Sequence, residues 1–155
     1  MTPMFIVAGQ YGESIEAVAD QLREEISSLP PEKPQLAKKV LPIDTGVMGA
    51  LVVVRGQELP HTHPNADLIF SVLDGGGWVQ LSPGRPDPET NIEAPAGSTI
   101  VIPKGMCHAF HNTSPSDSVL LAIFSPAIPD PGVCPEPPSL SPPQHTPPAP
   151  PNVSR

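Results

Sequence analysis

Between residues 47 and 124 the chain is cut into seven short runs rich in β-branched and aromatic residues. They lie at 47–55, 58–63, 67–73, 77–81, 98–102, 107–112 and 118–124, separated by Gly, Pro, Asn and Asp. Runs of this length at this spacing fit strands and point to an all-β sandwich or barrel. Segment 82–96 carries four prolines and reads as a surface loop. At 155 residues the chain is long enough for one domain with a single modest core.

The flanks read differently. Met4–Val7 is a short apolar run, expected as an edge strand. Ile15, Val18, Ala19, Leu22 and Ile26 recur at helical spacing, Ser14 is placed to cap the helix, and Pro30-Pro31 stops it. Residues 14–29 are therefore an amphipathic helix and 30–35 a Pro-rich connector. Of the 25 prolines, 12 fall in residues 126–155, which read as a disordered or polyproline tail. The expected organisation is 1–35 packed on the outside, 36–125 as the barrel and 126–155 as the tail.

Net charge is −8, and Lys38-Lys39 is the densest basic spot. Nucleic-acid binding needs a basic footprint to release counterions, so that class is set aside, and an anionic membrane surface with it. Apolar runs such as Ala50–Val54 are far too short to span a bilayer. Residues 1–10 lack the basic and apolar regions of a signal peptide. Cys107 and Cys134 are too few for a disulfide framework; a single bridge between them is the alternative, and a reduced, cytoplasmic chain is the simpler reading. Cys107 is read as a small buried hydrophobe, and Trp78 and Phe124 as core.

Chemistry is concentrated at the histidines. His61 and His63 are two apart, so on a strand their imidazoles project to one face, as a metal site needs. His108 and His111 are three apart and fall on opposite faces, so only one of them can join the pair.

The stretch from Gly97 to Asn112 resembles the second motif of the cupin superfamily, G-x5-P-x-G-x2-H-x3-N. Gly97, Pro103, Gly105, His108 and Asn112 occupy its fixed positions. The first motif, G-x5-H-x-H-x3,4-E-x6-G, is matched less completely, by His61, His63 and Gly75 and by Gly56 one residue too close to His61. Its Glu position falls on Leu68, next to Asp67. The resemblance implies a double-stranded β-helix, or jelly-roll barrel. His61, His63 and His108 carry over as ligands of one divalent transition metal, and a homodimer is implied. The carboxylate ligand is then lost, leaving three histidines with open positions, unless a bulge turns Asp67 inward. Strand alternation favours the first: Leu68, Phe70 and Val72 face in, with Ile100 and Ile102 completing a dry wall. Asp67 and His111 stand as alternates for a fourth ligand or a supporting partner. Gly97, Pro103, Gly105 and Asn112 are expected to fix turns.

Three imidazoles suit Fe, Zn, Ni, Cu or Co, with Mn also compatible and iron the expected ion. The resemblance implies a small chelating substrate and a mononuclear non-haem dioxygenase. A Lewis-acid isomerase, cyclase or lyase and a small-molecule-binding barrel without turnover are the other two classes. The sequence offers no clear general base beyond Asp67, Glu58 and His111, which favours metal-centred over acid–base chemistry.

Overall fold

The computed structural model describes residues 14–41, 46–82, 90–126 and 132–134. The Met4–Val7 run and most of the Pro-rich tail lie outside them. Helix α1 (Ile15–Ser27) starts where Ser14 accepts a hydrogen bond from the Ala17 amide through its side chain. Ile15, Val18, Ala19, Leu22 and Ile26 form its buried face. They pack on Ala37 and Leu41 of strand β1 (Leu36–Leu41) and on Leu51 and Val53 of β2 (Met48–Val54). Ala50 and Val54 face the other way, into the barrel. This strand is covered on both sides, which is why Ala50–Val54 reads as an unbroken apolar run.

The remaining strands are β3 (Asp67–Asp74), β4 (Gly76–Ser82), β5 (Thr90–Pro95), β6 (Thr99–Ile102), β7 (Cys107–Asn112) and β8 (Ser118–Ser125). They form two antiparallel sheets, ordered β1-β2-β8-β3-β6 and β5-β4-β7. The core between them is built from Leu68, Phe70, Val72, Val79, Ile102, Phe110, Leu120 and Phe124, among others. On β3 the alternation is regular, with Leu68, Phe70 and Val72 buried and Asp67 and Ile69 exposed. Among the described residues the fold is an all-β jelly-roll with one helix outside. Among the described residues no helix is long and apolar enough to cross a membrane.

Three expectations need correction. Strand β5 lies inside the segment read as loop; of its residues only Ala94 is buried, so it has no apolar alternation to reveal it. It is an edge strand ending at Pro95, where a missing N–H costs little. The run 58–63 is not a ladder strand, because Pro60 and Pro64 interrupt the donor series; it touches β7 through one isolated bridge, His61 to His108. The tail is not free throughout: Gly132 accepts from the Thr62 amide, and Cys134 forms a disulfide with Cys107. The expectation of two reduced thiols is thereby overturned. Nothing local in sequence signals a pairing across 27 residues.

Polar clamps join the pieces. Asp117 is buried and takes Arg23 of the helix at 3.0 Å and Arg55 after β2 at 3.5 Å. Asn112 donates to the Arg55 and Ser116 carbonyls and accepts from Ser114 and Ser118. Every polar atom of this motif residue is used to hold loops together. Gly77 opposes Asn112 on β7, and a Cβ there would run into the His111 carbonyl.

Candidate metal centre

The three histidines meet because of strand pairing. His61 and His108 exchange both backbone hydrogen bonds, at 3.0 and 2.9 Å. Residues directly opposite in an antiparallel pair share a face, so their imidazoles lie side by side with ring centroids 4.3 Å apart. His63, two residues on, joins the same face, 5.0 Å from His61 and 5.4 Å from His108. The Gly105 amide donates to the His63 carbonyl, tying the turn before β7 to the histidine segment. Gly105 has φ +79°, a conformation side-chain-bearing residues rarely adopt.

Ligand atoms of His61, His63 and His108 lie within 4.8 Å of one another. Backbone carbonyls orient two of the rings. His61 Nδ1 is 2.8 Å from Leu59 O, and His108 Nδ1 is 2.9 Å from Met106 O. A carbonyl only accepts, so each Nδ1 carries a hydrogen, and in the neutral ring Nε2 keeps its lone pair. Burial pushes the His108 pKa down to about 4, against the Met106 hydrogen bond and helped by His61 and His63. His108 is therefore a neutral donor at ordinary pH. Its Nε2 is buried with no hydrogen-bond partner, which buried polar atoms seldom tolerate. A cation between the imidazoles satisfies it, and the donor set fits a divalent transition metal.

The cluster sits in a cavity of about 50 Å³ walled by Leu68, Phe70, Val79, Phe110, Leu120 and Phe124. His61 and His63 also reach the floor of a cleft of about 730 Å³, lined by Leu36, Val40, Met48, Val52, Lys33, Lys38 and Gly132. Apolar side chains wall the site on one side, and it adjoins this cleft on the other, with Lys33 and Lys38 among the residues lining the cleft.

Glu58 lines both spaces, and its Oε2 lies 3.8 Å from His61 Nε2. Burial raises its pKa, opposed by His61, the Phe110 backbone and Lys38. Simple alternation back from His61 points Leu59 and Gln57 inward, yet Leu59 is 63% exposed. The cause is a register slip. Gln57 bridges His111 while His61 bridges His108, so four steps on this segment span three on β7. Such a bulge re-aims the side chains within it. The Glu58 amide donates to Phe110 O, opposite an inward-facing residue. Only the two prolines hinted at the irregularity in sequence.

The two alternates lie elsewhere. Asp67 is exposed, and its Oδ1 accepts from the Lys104 amide at 2.9 Å, bracing the turn that leads to β7. His111 is on the outer face of β7, stacked on Trp78 with centroids 3.8 Å apart and bonded to Gln80 at 3.2 Å. Burial lowers its pKa. Trp78 is therefore an outer-face residue, not core; register pairs it with His111. Leu68 and Phe70 line the cavity as expected. Val72, Ile100 and Ile102 belong to the core behind it.

Comparison with known proteins places this geometry. An uncharacterized protein of Aquifex aeolicus (strain VF5) is 42% identical over 77 residues, covering 50% of this chain and 58% of its own. The fold resembles oxalate oxidase solved in complex with glycolate, with TM-score 0.58 and 25% identity, over 68% of this chain and 56% of that one. A conserved double-stranded β-helix protein from Klebsiella pneumoniae shares the fold at TM-score 0.55 and 14% identity, over 71% of this chain and 93% of its own. The chain thus spans just over half the length of the Aquifex protein and of the oxalate oxidase. The cupin family model matches residues 37–131, the barrel together with all three histidines, and the chain belongs to the cupin family.

Proposed function

We propose that this chain is a mononuclear, iron-dependent dioxygenase acting on a small, anionic, metal-chelating organic acid. The observation that carries the reading is the cluster of three imidazoles, backed by an apolar wall and adjoining a cleft that Lys33 and Lys38 help to line. The likeness to an oxalate oxidase solved with glycolate supports a small oxygen-rich acid as substrate.

His61, His63 and His108 hold the ion, two of them fixed in ring orientation by Leu59 O and Met106 O. Bound there, the ion supplies Lewis-acid polarisation of the substrate and a redox partner for dioxygen. The protein supplies the rest. Phe70, Phe110 and Phe124 exclude water behind the ion, which strengthens every charge interaction in front of it. The ammonium groups of Lys33 and Lys38 offset the −8 net charge locally and draw an anion into the cleft.

Oxygen uptake by the iron-loaded chain tests this, using a panel of small 2-hydroxy, 2-keto and dicarboxylic acids. The expected result is oxygen consumption in step with loss of one class of acid, with both oxygen atoms in the product and no hydrogen peroxide released. Turnover without oxygen uptake would replace the dioxygenase by Lewis-acid chemistry.

A further inference from the structure

We propose that Glu58 is the fourth metal ligand, a carboxylate delivered from beside β7 to replace the one missing from β3. The inference rests on reading the three histidines as a metal centre. Leu68 stands where the family pattern places glutamate, and it is buried in the wall of the cavity. No carboxylate reaches the site from that strand, since Asp67 is turned outward onto the Lys104 amide. Glu58 lines the same cavity from the side of the other sheet.

The geometry of the pair Glu58–His61 argues for a cation between them. The His61 ring hydrogen is on Nδ1, committed to Leu59 O, so Nε2 presents a lone pair. Glu58 Oε2 faces that nitrogen at 3.8 Å, too far for a hydrogen bond. Two electron-pair donors that face each other half-buried repel unless a proton or a metal ion stands between them, and the open side of the three-histidine cluster is where a metal ion does so. Bonds of about 2.0–2.2 Å from one ion to a nitrogen and a carboxylate oxygen span such a separation. The bulge between Gln57 and His61 is what turns Glu58 inward, so the backbone irregularity acquires a purpose. A ligating carboxylate also cancels one of the two charges that three neutral imidazoles leave uncompensated.

Cobalt(II) is the probe, because its visible absorption reports the donor set and its affinity is read by competition with a chelator. Glu58→Gln keeps the shape of the side chain and removes the charge. In the full-length chain it should weaken Co²⁺ binding by at least about 10–100-fold, the loss typical of even an outer partner of a metal ligand. It should also change the Co²⁺ absorption bands and leave the melting temperature of the metal-free protein within a few degrees. Adding Leu68→Glu to Glu58→Gln should recover affinity, since that position faces the same cavity. Unchanged Co²⁺ affinity and spectrum in Glu58→Gln would overturn the assignment while leaving the three-histidine centre intact. A wild-type chain that binds no Co²⁺ would overturn the metal reading itself, and this inference with it.

Discussion

Replacing His108 by alanine should strip the chain of nearly all its metal while leaving the barrel folded. Its Nε2 is buried with no hydrogen-bond partner in the protein, and a metal ion in the cluster satisfies it. Its backbone pairing with His61 does not depend on the side chain. The variant therefore loses a donor without losing the strand register. With one imidazole gone, affinity should fall by about 100-fold or more, beyond the 10–100-fold typical of outer-shell losses. The measurement is metal content after gel filtration in the presence of a weak chelator, with circular dichroism to confirm the fold. His111→Ala is the comparison. That ring is stacked on Trp78 on the outer face, and its removal should leave metal content at the wild-type level. Equal loss in both variants would mean that the metal sits on the other face of β7.

Phe110→Ala carries the largest expected effect on stability. Phe110 is 1% exposed, on the strand that presents His108, and meets Phe70 edge-on with centroids 6.4 Å apart. Truncating a buried phenylalanine costs about 3–5 kcal/mol, from lost transfer energy and the cavity left behind. For a barrel of this size that is a fall in melting temperature of about 10 °C or more. The same change opens the apolar wall behind the metal, so metal affinity should fall as well. Val101→Ala, on an outward position 63% exposed, should alter stability by no more than about 0.5 kcal/mol. Thermal unfolding of both variants without metal separates the packing loss from the metal's contribution. Equal melting temperatures for the two would contradict the core described above.

What was legible in sequence follows from periodicity. The five buried positions of α1 and the alternation of β3 are local patterns, and both helix and strand formed on the expected faces. The complete second motif identified the family because its glycines, proline and asparagine are fixed by geometry. Gly105 takes a positive φ and Asn112 bonds four neighbours. Less legible were features that depend on partners far along the chain. Glu58 turns inward only because a bulge shifts the register against β7, and no alternation rule anticipates that shift. Trp78 looks like core by residue type, yet its stacking partner His111 holds it on the outer face. Proline content hid the fastening of Gly132 and Cys134, since composition describes a segment's average and not two residues that find partners.

The central claim is that this barrel is built around one divalent transition metal held by His61, His63 and His108. Elemental analysis of the full chain, purified without added metal, tests it most directly. Close to one such ion per chain is expected, with iron the expected element. Almost none is expected in a variant carrying His61→Ala, His63→Ala and His108→Ala together. A wild-type chain that holds no transition metal and takes up none when iron, manganese, zinc or cobalt is supplied would contradict it. Equal metal content in wild type and triple variant would contradict it as well.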